Sequence, residues 1–169
     1  HVAASVRTSY EDYYIAVDGK TWNNSYRSIW APQFSPVDGS VTAPVKIDGK
    51  WFLAKDGNIF WDKGYVQLWH HLYSPDGNRI AAIVAPDYGK WSVAVDNKPW
   101  DITFSEYVTD PIFSPDGSRV ACVFKENGKW GVVVDGKAWD ERFDMAFRPV
   151  FSPNGKSLAC RVSMGGFQY

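Results

Sequence analysis

What this chain has little of narrows its possible functions first. Only two cysteines and two methionines occur in 169 residues. Neither cysteine sits in a Cys-x-x-Cys context, so neither a disulfide framework nor a thiolate metal site organises the fold. Excess charge of one sign is also missing. Eighteen Lys and Arg stand against 19 Asp and Glu, a formal net charge of −1, so nucleic acid and anionic membrane surfaces are not expected partners. No apolar run approaches the ~18 residues that cross a bilayer, and direct membrane insertion is not expected. The first residues lack the charged and apolar regions of a signal peptide. The chain opens on His1 and runs straight into Val2-Ala3-Ala4-Ser5-Val6, which reads as a processed or excised piece of something longer. Localisation is expected to be cytoplasmic, since disulfides are not expected; a removed signal peptide would make it periplasmic. Gly-x-Ser-x-Gly, a phosphate loop and nucleophile–base spacing are all missing, so neither catalysis nor a cofactor is expected.

Aromatic residues are abundant instead. Nine Trp, nine Tyr and ten Phe make up 17% of the chain, amid β-branched residues and Gly/Pro punctuation, a profile of many short strands. Four tryptophans, Trp22, Trp61, Trp100 and Trp139, recur every 39 residues. An aromatic-Ser-Pro triplet recurs beside them at Phe34, Tyr73, Phe113 and Phe151. A third series precedes the first, with Trp51, Trp91 and Trp130 each following Gly-Lys, and Tyr13 and Phe167 in the same slot. Three anchors in one constant order define a repeat, with units at approximately 1–27, 28–66, 67–105, 106–144 and a partial 145–169.

Each unit divides into four antiparallel strands, labelled a to d from the aromatic-Ser-Pro strand onward. Ser-Pro-Asp-Gly at 74–77 and 114–117, and Ser-Pro-Asn-Gly at 152–155, put Pro where φ near −65° is wanted and Gly where φ is positive, so each is a hairpin turn. The b segments that follow are short and almost wholly apolar, as strands covered on both faces should be. Asp96-Asn97 and Asp135-Gly136 then close two-residue hairpins between strands c and d. Sheets apolar on both faces must cover one another, so the units stack as propeller blades. In the unit 28–66 the turn is one residue longer and the b strand contains Pro44, so that strand is expected to be the worst formed.

Pro111-Ile112-Phe113-Ser114-Pro115-Asp116-Gly117 and the strand after it resemble the WD40-like, TolB-type propeller repeat, a likeness that covers nearly the whole chain. The fold class that follows is all-β: a β-propeller of about four blades of four antiparallel strands. The repeated Gly-Lys-Trp and Val-Asp-Gly-Lys phrases also resemble the tryptophan-rich propeller subunit of transmembrane, tetrahaem cytochrome c electron-transfer complexes of sulfate-reducing bacteria. That resemblance implies an accessory subunit with redox-complex partners and no redox motif of its own. The strand tally is four a, five b, four c and four d. This implies a partial ring, as a fragment of a propeller of six to eight blades or as a chain that self-associates to complete one.

Residues that recur in every blade are expected to be interblade packing, which accounts for the Trp slots of strands c and d. Cys122 and Cys160 share a slot with Ala4 and Ala82, so both are expected to be buried free thiols. His70-His71 could be a metal pair, but neighbours on a regular strand point to opposite faces, and no shared ion is expected. Information about a partner should lie where the repeats differ, at the d-to-a connection and the start of strand a. The candidate partner-binding face is therefore Arg27, Trp30, Trp69, His70, Glu106, Asp110, Arg142 and Arg148. The position three before the aromatic reads Ala31, His70, Asp110 and Arg148, a variety that favours protein partners. A lectin-like propeller, with Trp30 and Trp69 stacking on sugar, and a propeller domain of a peptidase or TolB-like protein are the alternatives.

Overall fold

The computed structural model of the chain describes residues 1–165 and 167–168, and among these there are 22 short strands and no helix. They fall into five successive antiparallel meanders, which we number as blades one to five.

The third blade shows the pattern most simply. Its strands Gln67–Tyr73, Ile80–Asp87, Lys90–Val95 and Lys98–Pro99 lie side by side in chain order, a to d. In blades two and four strand a is broken in two, as Ser28–Ile29 with Gln33–Phe34 and Tyr107–Val108 with Ile112–Phe113. Blade one comprises Ala3–Ser9, Asp12–Val17 and Lys20–Thr21, which are strands b, c and d. Turn chemistry sets the register. Asp135 and Gly136 both have positive φ, 51° and 77°, the geometry that suits a two-residue hairpin to twisted strands. In the longer turns the Ser side chain does the closing: Ser114 Oγ accepts from Arg119 N at 2.9 Å and donates to Asp116 Oδ1 at 2.5 Å. The bond from Ser114, with those from Ser118 N and Oγ, holds the exposed Asp116 carboxyl down to about 2, so it serves the turn.

Each hydrophobic cluster is shared by two consecutive blades. Trp61 of blade two packs with Ile80, Ala82 and Val84 of blade three, and Phe104 of blade three packs with Val120, Cys122 and Phe124 of blade four. Burying a Trp such as Trp61 removes roughly 200 Å² from water, worth at most about 5 kcal/mol before entropy is counted. The d-strand Trp needs a slim neighbour in the next blade. A Cβ on Gly136 would meet Trp100 Cγ at 3.1 Å. Arginines reinforce the stacking. Arg119 Nε pairs with Asp135 Oδ2 of its own blade at 3.1 Å, and its Nη1 donates to Lys156 O of the next blade at 3.2 Å.

Burial of strand b depends on having a blade on both sides. Val41–Ile47, Ile80–Asp87 and Val120–Glu126 are buried through their first five residues, whereas Ala3–Ser9 is exposed from its second residue on. The Cys slot follows the same rule, which corrects one expectation. Cys122 is fully buried, but Cys160, on the outermost described blade, is only half-buried and donates through Sγ to Phe147 O at 3.0 Å.

Pro44 does not spoil its strand either. Val41–Ile47 pairs with Lys50–Lys55 without interruption. At the matching position of blade four, Val123 N finds no backbone acceptor in the broken strand a and bonds Thr109 Oγ1 at 2.9 Å instead. Proline lacks that N–H, so the slot accepts it at no loss. The poorly formed b strand is in blade five, where Leu158–Ala159 and Val162–Met164 are separate pieces.

Candidate functional site

Strand a forms one edge of blades two to five, and these four a strands converge on one cavity of about 410 Å³. Trp30, Trp69, His70, Asp110 and Arg148 all line it, so the structure brings together five of the eight residues that differ between repeats at the start of strand a. Glu106 lines an adjoining cavity of about 470 Å³ that shares Trp30, Trp69, His70 and Asp110. Arg27 and Arg142 lie apart from both cavities: they belong to the d-to-a connection, and Arg142 folds back to bond Trp139 O.

The two tryptophans are packed within their own blades. Trp30 stacks on Trp51 at 5.5 Å and 18°, and Trp69 stacks on Trp91 at 5.1 Å and 24°. Each pair joins the a slot to the c slot of one blade. Between blades Trp30 and Trp69 meet edge to face, 6.1 Å apart at 82°. Trp30 is still 44% exposed.

The histidine pair departs from the expected alternation. Between the pairs Ala81–Leu72 and Ile83–Trp69 the register slips, and His70 takes φ of 50°, so the two histidines occupy a β-bulge and both line the 410 Å³ cavity. Their partners separate them. His70 Nδ1 bonds Asp110 Oδ1 of blade four at the surface, while His71, 2% exposed, bonds Thr42 of blade two through Nε2 at 3.0 Å. Burial lowers the His71 pKa to about 4, which keeps the ring neutral at ordinary pH. No group of three His, Cys, Asp or Glu side chains placed to hold a metal ion occurs among the described residues. The bulge was hidden in the sequence, although His71 standing where Pro32, Pro111 and Pro149 occupy the other blades was a visible sign of it.

Comparisons with known proteins now bear on this geometry. No protein-family model and no curated protein matches the chain by sequence. Among solved structures it is similar to TolB from Acinetobacter baumannii, at 18% identity over 98% of this chain and 50% of that one, with a TM-score of 0.53. The chain folds as a β-propeller. An oligogalacturonate lyase in complex with manganese gives a second likeness, 12% identical over 93% of this chain and 52% of that one, again with a TM-score of 0.53. The WD40 propeller domain of Doa1 is 11% identical over 98% of this chain and 58% of that one, with a TM-score of 0.46. At these identities the likeness shows the propeller fold alone. The chain spans about half the length of these solved structures. In the propeller frame strand a lines the central channel, which explains why one slot from four blades meets at one cavity.

Proposed function

We propose that this propeller is a non-catalytic scaffold that binds a protein partner on its channel face. One observation carries the reading: Ala31, His70, Asp110 and Arg148, the same slot of four blades and four different residue types, all line one cavity. Recurring slots are spent on packing in a repeat protein, so a slot that changes chemistry at each blade while pointing to one place is free to encode recognition. The two alternatives differ in what they would repeat. A sugar-binding propeller is favoured by the exposed ring of Trp30, and it would repeat its polar ligands from blade to blade, which this slot does not.

The attachment of partners in a membrane-associated electron-transfer complex is the finer form of this proposal. It rests on the tryptophan-rich composition and on the repeated Gly-Lys-Trp and Val-Asp-Gly-Lys phrases. A cytoplasmic location likewise belongs to the proposal.

We further propose that the outward faces of blades one and five are covered in the assembled protein, by a second copy or by further blades. Strand b of blade one is exposed from its second residue on, and the apolar Val2 beside it and Val150 of blade five are 70% and 65% exposed. Light scattering on the chain alone tests this, and a stable monomer of 19.1 kDa that does not aggregate would contradict it.

The binding reading is tested by placing a photo-crosslinking amino acid at Gln33, on the channel cavity, and at Lys137, far from it, in cells of the source organism. Protein adducts from position 33 and none from 137 are expected. Adducts that carry glycan in place of protein would move the function to the lectin reading.

A further inference from the structure

One blade breaks the aromatic series around the channel. The slot filled by Trp30, Trp69 and Phe147 in blades two, three and five holds Thr109 in blade four. Thr109 turns its hydroxyl back into its own blade, donating to Val123 O at 3.1 Å and accepting from Val123 N at 2.9 Å. Beside it lies the cavity of about 470 Å³, which Val108 and Asp110, on either side of Thr109, both line. Trp30, Trp69, Trp91 and Tyr107 line it, with the carboxylates of Glu106 and Asp110. Its lining holds two carboxylates and neither Lys nor Arg. Tyr107 is 52% exposed and stands edge-on to Trp130 at 6.1 Å, so this wall is open to solvent.

The chemistry suited to such a space is a cation that is planar and weakly hydrated. Aromatic faces attract positive charge through their quadrupoles, and a guanidinium adds flat stacking and a fork of donors for carboxylates. The chain uses this pairing itself in the same slot. In blade five the guanidinium of Arg161 lies over the Phe147 ring, 3.9 Å from its centre. Phe147 N donates to Arg161 O at 3.0 Å, which makes Arg161 the cross-strand neighbour of the slot. In blade three that neighbour of Trp69 is Ile83, which brings no charge. The two carboxylates are not idle: Glu106 accepts from Gly128 N at 2.8 Å and lies 3.6 Å from Lys125 Nζ, and Asp110 holds His70. Gly128 and Lys125 do not line the cavity, whereas both carboxylates do, with His70 beside them.

We propose that this cavity receives an arginine side chain of a protein partner, seated between the ring of Trp69 and the carboxylates of Glu106 and Asp110. The inference rests on the channel-face binding reading and names the group that the face recognises.

The test is a titration of the chain, labelled with ¹⁵N at its indoles, with acetyl-Gly-Arg-Gly-amide and with the same peptide carrying citrulline, the uncharged isostere. The arginine peptide is expected to shift the indole signals of Trp69, Trp91 and Trp30 saturably, with a dissociation constant on the order of millimolar. The citrulline peptide should bind at least tenfold more weakly. Glu106→Gln should weaken arginine binding several-fold while the indole signals of the free protein keep their positions. Equal shifts from both peptides, or unmoved indoles at tens of millimolar, would overturn the proposal. Unmoved indoles alongside protein adducts from position 33 would overturn this inference and leave the scaffold reading standing.

Discussion

His70 of blade three bonds Asp110 of blade four through Nδ1 and Oδ1, forty residues apart in sequence and side by side at the channel mouth. Both side chains are 61% exposed. A pair so open to water contributes about 1 kcal/mol or less to stability. Asp110→Ala is therefore expected to leave the urea midpoint nearly unchanged while reducing adduct formation at position 33, because it removes a carboxylate from both cavities. A large loss of stability would show that the pair is an interblade clamp and not part of a recognition surface.

His71 gives the chain an acid-sensitive step of a different origin. The unfolded chain takes up a proton on this ring near pH 6.5, whereas burial delays protonation in the folded chain to about 4. Stability is thus full above pH 6.5 and falls as the pH drops towards 4, by roughly 3 kcal/mol at 1.36 kcal/mol per pH unit. The ring bonds Thr42, and the titratable or charged groups that share its cavity, His70, Asp110 and Arg148, are all exposed. Urea unfolding of the wild type and of His71→Phe at pH 7, 5.5 and 4 measures the effect. The variant should be less stable at pH 7 and should lose most of the slope between 6.5 and 4; an unchanged slope would assign it elsewhere.

The two thiols should part company. Burial raises both thiol pKa values, but only Cys122 is sealed between two blades, while Cys160 is half-buried. Maleimide labelling of the folded chain is expected to modify Cys160 slowly and Cys122 only after unfolding, read by peptide mass. Native labelling of Cys122 would contradict the register of strand b in blade four.

These outcomes show what the sequence carried and what it hid. The 39-residue Trp spacing made the blades legible because an interblade core has to repeat wherever blades repeat. Subtracting the repeat then exposed Trp30, Trp69, His70, Asp110 and Arg148, which converge because strand a is the channel strand. Arg27 and Arg142 were drawn in by the same subtraction, but they sit on the connection before strand a, where side chains are not steered to the channel. The bulge at His70 and the tolerance of Pro44 depend on where strand a breaks away from strand b, a property of two strands together that neither segment shows alone. Cys160 looked buried because its slot is buried wherever a further blade covers it.

Arg148 is where binding and packing can be separated most cleanly. Trp69 stacks on Trp91 and meets Trp30, so its removal costs stability whatever else it does. Arg148 is exposed and lines the channel cavity. The deciding measurement is Arg148→Ala, with thermal midpoint and partner cross-linking from position 33 recorded on the same protein. A midpoint within about 2 °C of wild type, with cross-linking reduced at least tenfold, is the result expected of a recognition surface. Undiminished cross-linking, or a midpoint lowered by about 5 °C or more, would mean that the varied slot serves the fold, and the binding face would have to be sought elsewhere on the propeller.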